Sequence, residues 1–135
     1  MELSDLVGLH ELSGVDFATE TLLQYGTHYE DCQLVNFVLD GKTYTAVEDP
    51  NDGYRSSMAE IKVTDFKVAN TFEPVQVVGM MRVGRFQGDY DVLDLVDVKT
   101  GKIVLSVGTD HTDDYYPTFV SDWQPENLVL NEVKP

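Results

Sequence analysis

Short runs of alternating apolar and polar residues, separated by Gly, Asp and Pro turns, set the pattern of this chain. The clearest is Val35-Asn-Phe-Val-Leu39, Asp40-Gly41, Lys42-Thr-Tyr-Thr-Ala-Val47. A two-residue Asp-Gly loop between two β-rich runs predicts a type I′ hairpin, because both loop positions need positive φ. That register puts Phe37 opposite Tyr44 and Val35 opposite Ala46, so Val35, Phe37, Leu39, Tyr44 and Ala46 share one face, expected to be core. The reverse face, Asn36, Thr43 and Thr45 with flanking Val38 and Val47, is more polar and is expected to meet solvent or a partner.

A second hairpin is expected from Val92–Val98 and Lys102–Val107 through Lys99-Thr100-Gly101, with Gly101 left-handed beside a bulge. Ile103, Leu105 and Val107 alternate with Val104 and Ser106, the pattern of a half-buried strand. Glu60–Val68 and Val75–Val83 are two further strand candidates, punctuated by Pro74 and Gly84. Near the start, Ser4 is expected to cap one short turn through Val7, after which Leu9 to Phe17 reads as extended. No window of eleven residues carries a clean helical stripe; the best candidate is a single turn at Ser56–Glu60. The stretch from Tyr115 to Pro135 is expected to be extended structure and loop packed over the sheet. Together these elements predict a mainly β, single-domain protein spanning residues 1–135, built as an antiparallel coiled sheet or small open barrel with one or two short helical turns.

Charge changes the picture. Among 135 residues, 24 Asp and Glu face nine Lys and Arg, a formal net charge of -15, yet 42% of the chain is hydrophobic. A highly charged chain stays disordered only when hydrophobicity is also low, so this one is expected to fold. A surface this negative repels nucleic acid and attracts basic partners. The chain has no run of about eighteen apolar residues and no signal-peptide pattern at Met1-Glu-Leu-Ser-Asp-Leu6, so a cytoplasmic location away from membranes is the expectation. Cys32 is the single cysteine, which excludes an internal disulfide and makes a small packed side chain its default role.

The acids concentrate in three places. Glu48-Asp-Pro-Asn-Asp52-Gly53 resembles a calcium loop superficially, but Pro50 falls on a ligand position and Ala59 where the bidentate Glu belongs, so a plain turn is the reading. Asp89, Asp91, Asp94 and Asp97 lie along a strand, where the first reading is a solvated face that discourages edge-to-edge association. The second is a rail of carboxylates, since two strand residues span about 6.6 Å, close to the spacing of phosphates along a nucleic-acid strand. Asp91 and Asp97 are expected on one face and Asp94 on the other. Asp110-His-Thr-Asp113-Asp114, followed by Tyr115-Tyr116-Pro117, reads as an acidic loop with aromatic anchors suited to a protein partner. Its metal-site reading lacks ligands from a second segment.

Catalytic patterns are missing. There is no Gly-x-Ser-x-Gly elbow, Cys32 and His28 lack an orienting third group, and Gly84-Arg-Phe-Gln-Gly88 is not a phosphate loop. The segment Tyr29–Tyr44, preceded by Leu6-Val-Gly8, resembles small uncharacterised acidic phage and prophage proteins with an Asp-Cys pair near a strand hairpin. The resemblance covers about a third of the chain. It implies an anti-defence role, of the anti-CRISPR or anti-restriction type, in which an inhibitor mimics DNA.

The leading expectation is therefore a non-enzymatic binding protein without a cofactor, carrying Asp89, Asp91, Asp94, Asp97, Asp110, Asp113, Asp114, Tyr115 and Tyr116 on its recognition face. Its partner would be a basic host protein or ribonucleoprotein complex, with no direct nucleic-acid contact, and homo-oligomerisation stays open. One alternative is a domain that sequesters a small molecule or nucleotide through Tyr54, Arg55, Arg82 or Arg85. A second is a metal-dependent hydrolase built on Asp110, His111 and Asp113. The excess of Asp over Glu, fifteen to nine, also suits a plain acidic housekeeping domain.

Overall fold

A computed structural model describes residues 1–24, 26–52, 55–65, 68, 72–84, 90–113 and 115–129; for 24, 27, 51, 52 and 55 only the backbone is described. After a 3₁₀ turn at Leu3–Leu6, nine strands follow among the described residues: β1 Gly8–Gln24, β2 Thr27–Leu39, β3 Lys42–Asp52, β4 Arg55–Met58, β5 Lys62–Thr64, β6 Val75–Met81, β7 Tyr90–Asp97, β8 Ile103–Asp110 and β9 Thr118–Trp123. A second 3₁₀ turn covers Pro125–Asn127. The protein is mainly β, as the alternating pattern predicts. No described helix is long and apolar enough to cross a membrane.

The strands form one sheet in the order β2-β1-β6-β7-β8-β9-β4-β3-β5, and β2 also pairs with β3, closing a ring of hydrogen bonds with β5 appended. Around that ring seven pairings are antiparallel and one, β4 with β9, is parallel. An odd number of reversals cannot close with straight strands, so the long strands change course. β1 pairs with β6 over Gly8–Leu12 and with β2 from Leu12 onward, across a bulge at Leu12/Gly14. β3 pairs with β2 over Lys42–Val47 and then with β4 from Glu48. The result is a strongly coiled, ring-like sheet rather than an even barrel.

The Asp40-Gly41 hairpin has the expected geometry: φ is 54° at Asp40 and 80° at Gly41, and Phe37 faces Tyr44. Their rings stack at 5.9 Å inside the ring. Val35, Phe37, Leu39, Tyr44 and Ala46 are core, with Leu12, Val77, Leu93, Leu95, Leu105 and Val107 from the other strands and Leu3, Leu6 and Ile61 filling in. The second hairpin also forms, with Gly101 at φ 71° and a bulge at Leu95/Val96. Gly108 allows β7 and β8 to approach: a Cβ there would stand 2.0 Å from the Asp91 carbonyl oxygen.

Several expectations are corrected. The reverse face of the first hairpin does not meet solvent: Val38, Val47, Asn36, Thr43 and Thr45 are all buried, and Thr45 Oγ1 donates to Asn36 Oδ1. β2 has β1 on one side and β3 on the other, which packs both faces more tightly than an edge strand would allow. β8 is likewise buried on both faces from Val104 to Thr109, not half-buried. Ser56–Met58 is strand, because tertiary pairing to β3 and β9 overrides its weak β propensity. Glu48–Asp52 is strand rather than turn. Of the Glu60–Val68 candidate only Lys62–Thr64 is a described strand, and Thr118–Trp123 joins the sheet instead of lying over it. At the start, Glu2 is the cap residue and Ser4 lies inside the turn, with Asp5 accepting from the Glu2 amide at 2.9 Å.

Candidate functional site

Two of the three carboxylates of β7, Asp94 and Asp97, are consumed by the fold. Asp94 points outward between Met80 on β6 and Ser106 on β8 and is only 7% exposed. Arg82 grips it in a fork, Nε at 3.1 Å to Oδ2 and Nη2 at 2.8 Å to Oδ1, while Ser106 Oγ donates to Oδ1 at 2.6 Å. The guanidinium also sits 5.4 Å over the Tyr90 ring. Hydrogen bonds to Asp94 hold the Arg82 pKa above its ordinary value. Bidentate, charge-assisted bonds of this kind are the strong ones.

Asp97, 2% exposed, accepts from the Lys99 amide at 2.8 Å and the Val129 amide at 3.1 Å, fixing the β7–β8 turn and docking the chain after the second 3₁₀ turn. Asp91 and Asp97 do share a face, but it is the inner face that also carries Leu93 and Leu95. The expected solvated rail is therefore replaced by one exposed carboxylate, Asp91, and two buried ones; Asp89 lies outside the described residues. The parity of the strand was right, and the cover over each face was what parity omits.

The Asp110–Tyr116 loop is built on local carboxylate turns. Asp110 Oδ1 accepts from the Thr112 amide at 2.8 Å and from its hydroxyl, and these bonds hold the Asp110 pKa below the usual carboxylate range. Asp113 Oδ1 accepts from the Tyr115 amide at 3.0 Å. Asp113, Tyr115 and Tyr116 are exposed, Tyr115 at 80%. Asp114 lies outside the described residues. No three His, Cys, Asp or Glu come together as a metal site among the described residues.

Of the anion-binding candidates, Arg82 is already engaged by Asp94. Tyr54 and Arg85 lie outside the described residues, and only the backbone of Arg55 is described.

The fold assembles a group that the sequence clusters did not reveal. Cys32 on β2 is buried, and its thiol pKa is pushed up by burial first and then by the charges of Glu48, Glu20 and Asp49. These acids come from two strands that flank β2: Glu20 on β1 pairs with Cys32, and Glu48 and Asp49 lie on β3. Glu48 is central. One oxygen accepts from the Gln33 amide at 3.1 Å and the other from Ser56 Oγ on β4. Ser56 in turn donates its amide to Pro117 O and pairs with Thr118, and Thr118 pairs with Asp110. These contacts and pairings link the first and third acidic clusters through the uncharged Ser56 and Thr118.

One sequence signal for this surface is visible in retrospect. Residues 1–41 contain eight acidic residues and no Lys or Arg, the first cation being Lys42. Searching for dense acidic runs overlooks it, because the acids are spaced and the missing cations are the informative part. Comparison of the chain with protein-family models, curated proteins and solved structures finds no match in any of the three.

Proposed function

We propose that this is a non-enzymatic binding protein whose acidic surface occupies a basic, nucleic-acid-binding surface of another macromolecule. The observation that carries the reading is the gathering of Glu20, Glu48 and Asp49 around Cys32, with Glu48 linked through Ser56 and Thr118 to Asp110 at the start of the exposed Asp113–Tyr116 stretch. Carboxylates held on a rigid sheet present charge to the Lys and Arg that otherwise hold phosphates, and exposed tyrosines beside them supply apolar contact at small entropic cost. The resemblance to acidic phage proteins directs the choice of partner to a host defence complex, a CRISPR effector or a restriction nuclease, inhibited by mimicry of DNA.

The test is competition. Duplex DNA bound to purified guide-RNA effectors and restriction nucleases is titrated with the protein at 50 and 300 mM salt, ordinary laboratory values on either side of physiological strength. The expected result is displacement of DNA by at least one member of the panel, weakening several-fold as salt rises. Displacement that ignores salt, or that survives charge reversal at Glu20, Glu48 and Asp113 together, would contradict electrostatic mimicry. So would a panel on which no member releases DNA.

A further inference from the structure

β1 and β2 continue as a two-stranded ribbon after the rest of the ring has left them. β2 pairs with β3 as far as Leu34, whereas β1 and β2 stay paired to Gln24 and Thr27. In a two-residue hairpin the residues flanking the loop exchange both backbone hydrogen bonds, and this alternates along the strands. Leu39, Phe37 and Val35 therefore direct their backbone groups to β3, and Val38, Asn36 and Leu34 direct theirs to β1. The β1 partners of those residues are Gly14, Asp16 and Ala18. The intervening Phe17 and Thr19 consequently aim their N–H and C=O away from β2. β6 pairs only with Gly8–Leu12, so among the described residues no strand covers this edge.

The side chains match an incoming strand. Phe17 is 45% exposed and Leu23 62%. Phe17, Ala18, Thr19, Gln33 and Leu34 line an open groove of about 360 Å³. Asp16 and Glu20 flank its β1 residues in sequence, Glu30 and Asp31 lie further along the ribbon on β2, and β1 and β2 carry no Lys or Arg. An exposed strand edge with apolar surface is a template for strand addition. Here the charge selects the occupant: a second copy would bring the same acids against these, whereas a segment bearing Lys or Arg would be attracted.

We infer that the β1 edge at Phe17–Leu23 docks an extended segment of a protein partner, in which Lys or Arg alternates with apolar residues, as an added strand. This rests on the proposed basic partner and names the element that seizes it. The probe is a ten-residue synthetic peptide alternating Lys and Val, titrated into the full-length protein with amide NMR as the readout. Binding should protect the Phe17 and Thr19 amides from exchange and weaken at high salt. Thr19→Pro deletes an outward N–H and leaves the pairing to β2 intact, as proline does on edge strands. It should weaken the peptide at least tenfold in a variant whose cross-strand contacts from Ala18 to Leu34 persist. If those contacts are lost, the protection pattern in the unmodified protein decides. Salt-sensitive binding that leaves Phe17 and Thr19 unprotected, or that Thr19→Pro does not alter, overturns the strand-addition inference while sparing the acidic-surface reading. Absence of binding at low salt overturns both. A concentration-dependent dimer that protects the same amides without peptide assigns the edge to a second copy and also overturns it.

Discussion

β7 and the β1–β2 ribbon carry acids on strands of similar character, and their fates are opposite. On β7, flanked by β6 and β8, Asp94 and Asp97 are buried and satisfied by Arg82, Ser106 and backbone amides. On the ribbon, Glu20, Glu30 and Asp31 are exposed, and no cation occurs in either strand. An acidic residue on a strand becomes structural when both neighbours are present and a donor is supplied. It stays available when the strand outruns its neighbours. Net charge alone does not distinguish these cases; strand pairing does.

The contrast breaks most visibly in stability. Phe37→Ala, in the fully buried core, should cost about 3–5 kcal/mol, measured as a fall in the denaturant midpoint. Gly108→Val should be of similar severity, because its side chain meets the β7 backbone at a φ of 150°. Asp94→Ala removes the partner of a guanidinium that is 29% exposed, and should cost about 1–3 kcal/mol, less than a fully buried pair. Glu20→Lys and Glu30→Lys, by contrast, should each stay within about 0.5 kcal/mol of the unmodified protein. Equal losses from Asp94 and Glu20 would erase the distinction between the two regions.

A smaller, pH-linked effect sharpens it. His10 Nδ1 lies 2.6 Å from Asp40 Oδ2, and the Glu11 amide donates to Oδ1 at 2.9 Å, so the Asp40 pKa is held below the usual range, His10 being the chief cause. A depressed folded pKa contributes stability that is present above the unfolded value near 4 and is lost as pH falls through the folded value. Asp40→Asn keeps a residue that tolerates positive φ. It should therefore remove a small part of the stability at pH 6 and flatten the acid limb of the pH–stability curve below pH 4. An unchanged acid limb would show that the exposed His10 contact is screened.

Much of the fold was legible where chemistry is local. Asp40-Gly41 fixes turn type, register and five core residues at once, because two consecutive positive φ values admit few residues. Gly101 does similar service in the second hairpin. What escaped was set at long range. Ser56-Ser-Met58 has no strong β former, and it is strand because β3 and β9 flank it. Asp94 and Asp97 alternated as expected, but alternation assigns a face without saying whether Arg82 or a backbone amide will meet it there. The acids from Glu20 to Asp110 are linked through contacts and pairings that no spacing rule contains, and the cation-free first 41 residues were their single linear trace.

The most direct measurement compares two charge reversals of equal size. Glu20→Lys with Glu30→Lys alters the ribbon, and Asp122→Lys with Glu126→Lys alters exposed acids near the far end of β9. Each variant is titrated with the alternating Lys–Val peptide at low salt. If the ribbon is the recognition surface, the first pair weakens binding at least tenfold and the second by no more than about threefold. Equal loss from the two pairs would mean that the protein attracts basic partners through its overall charge, with no surface set apart to receive them.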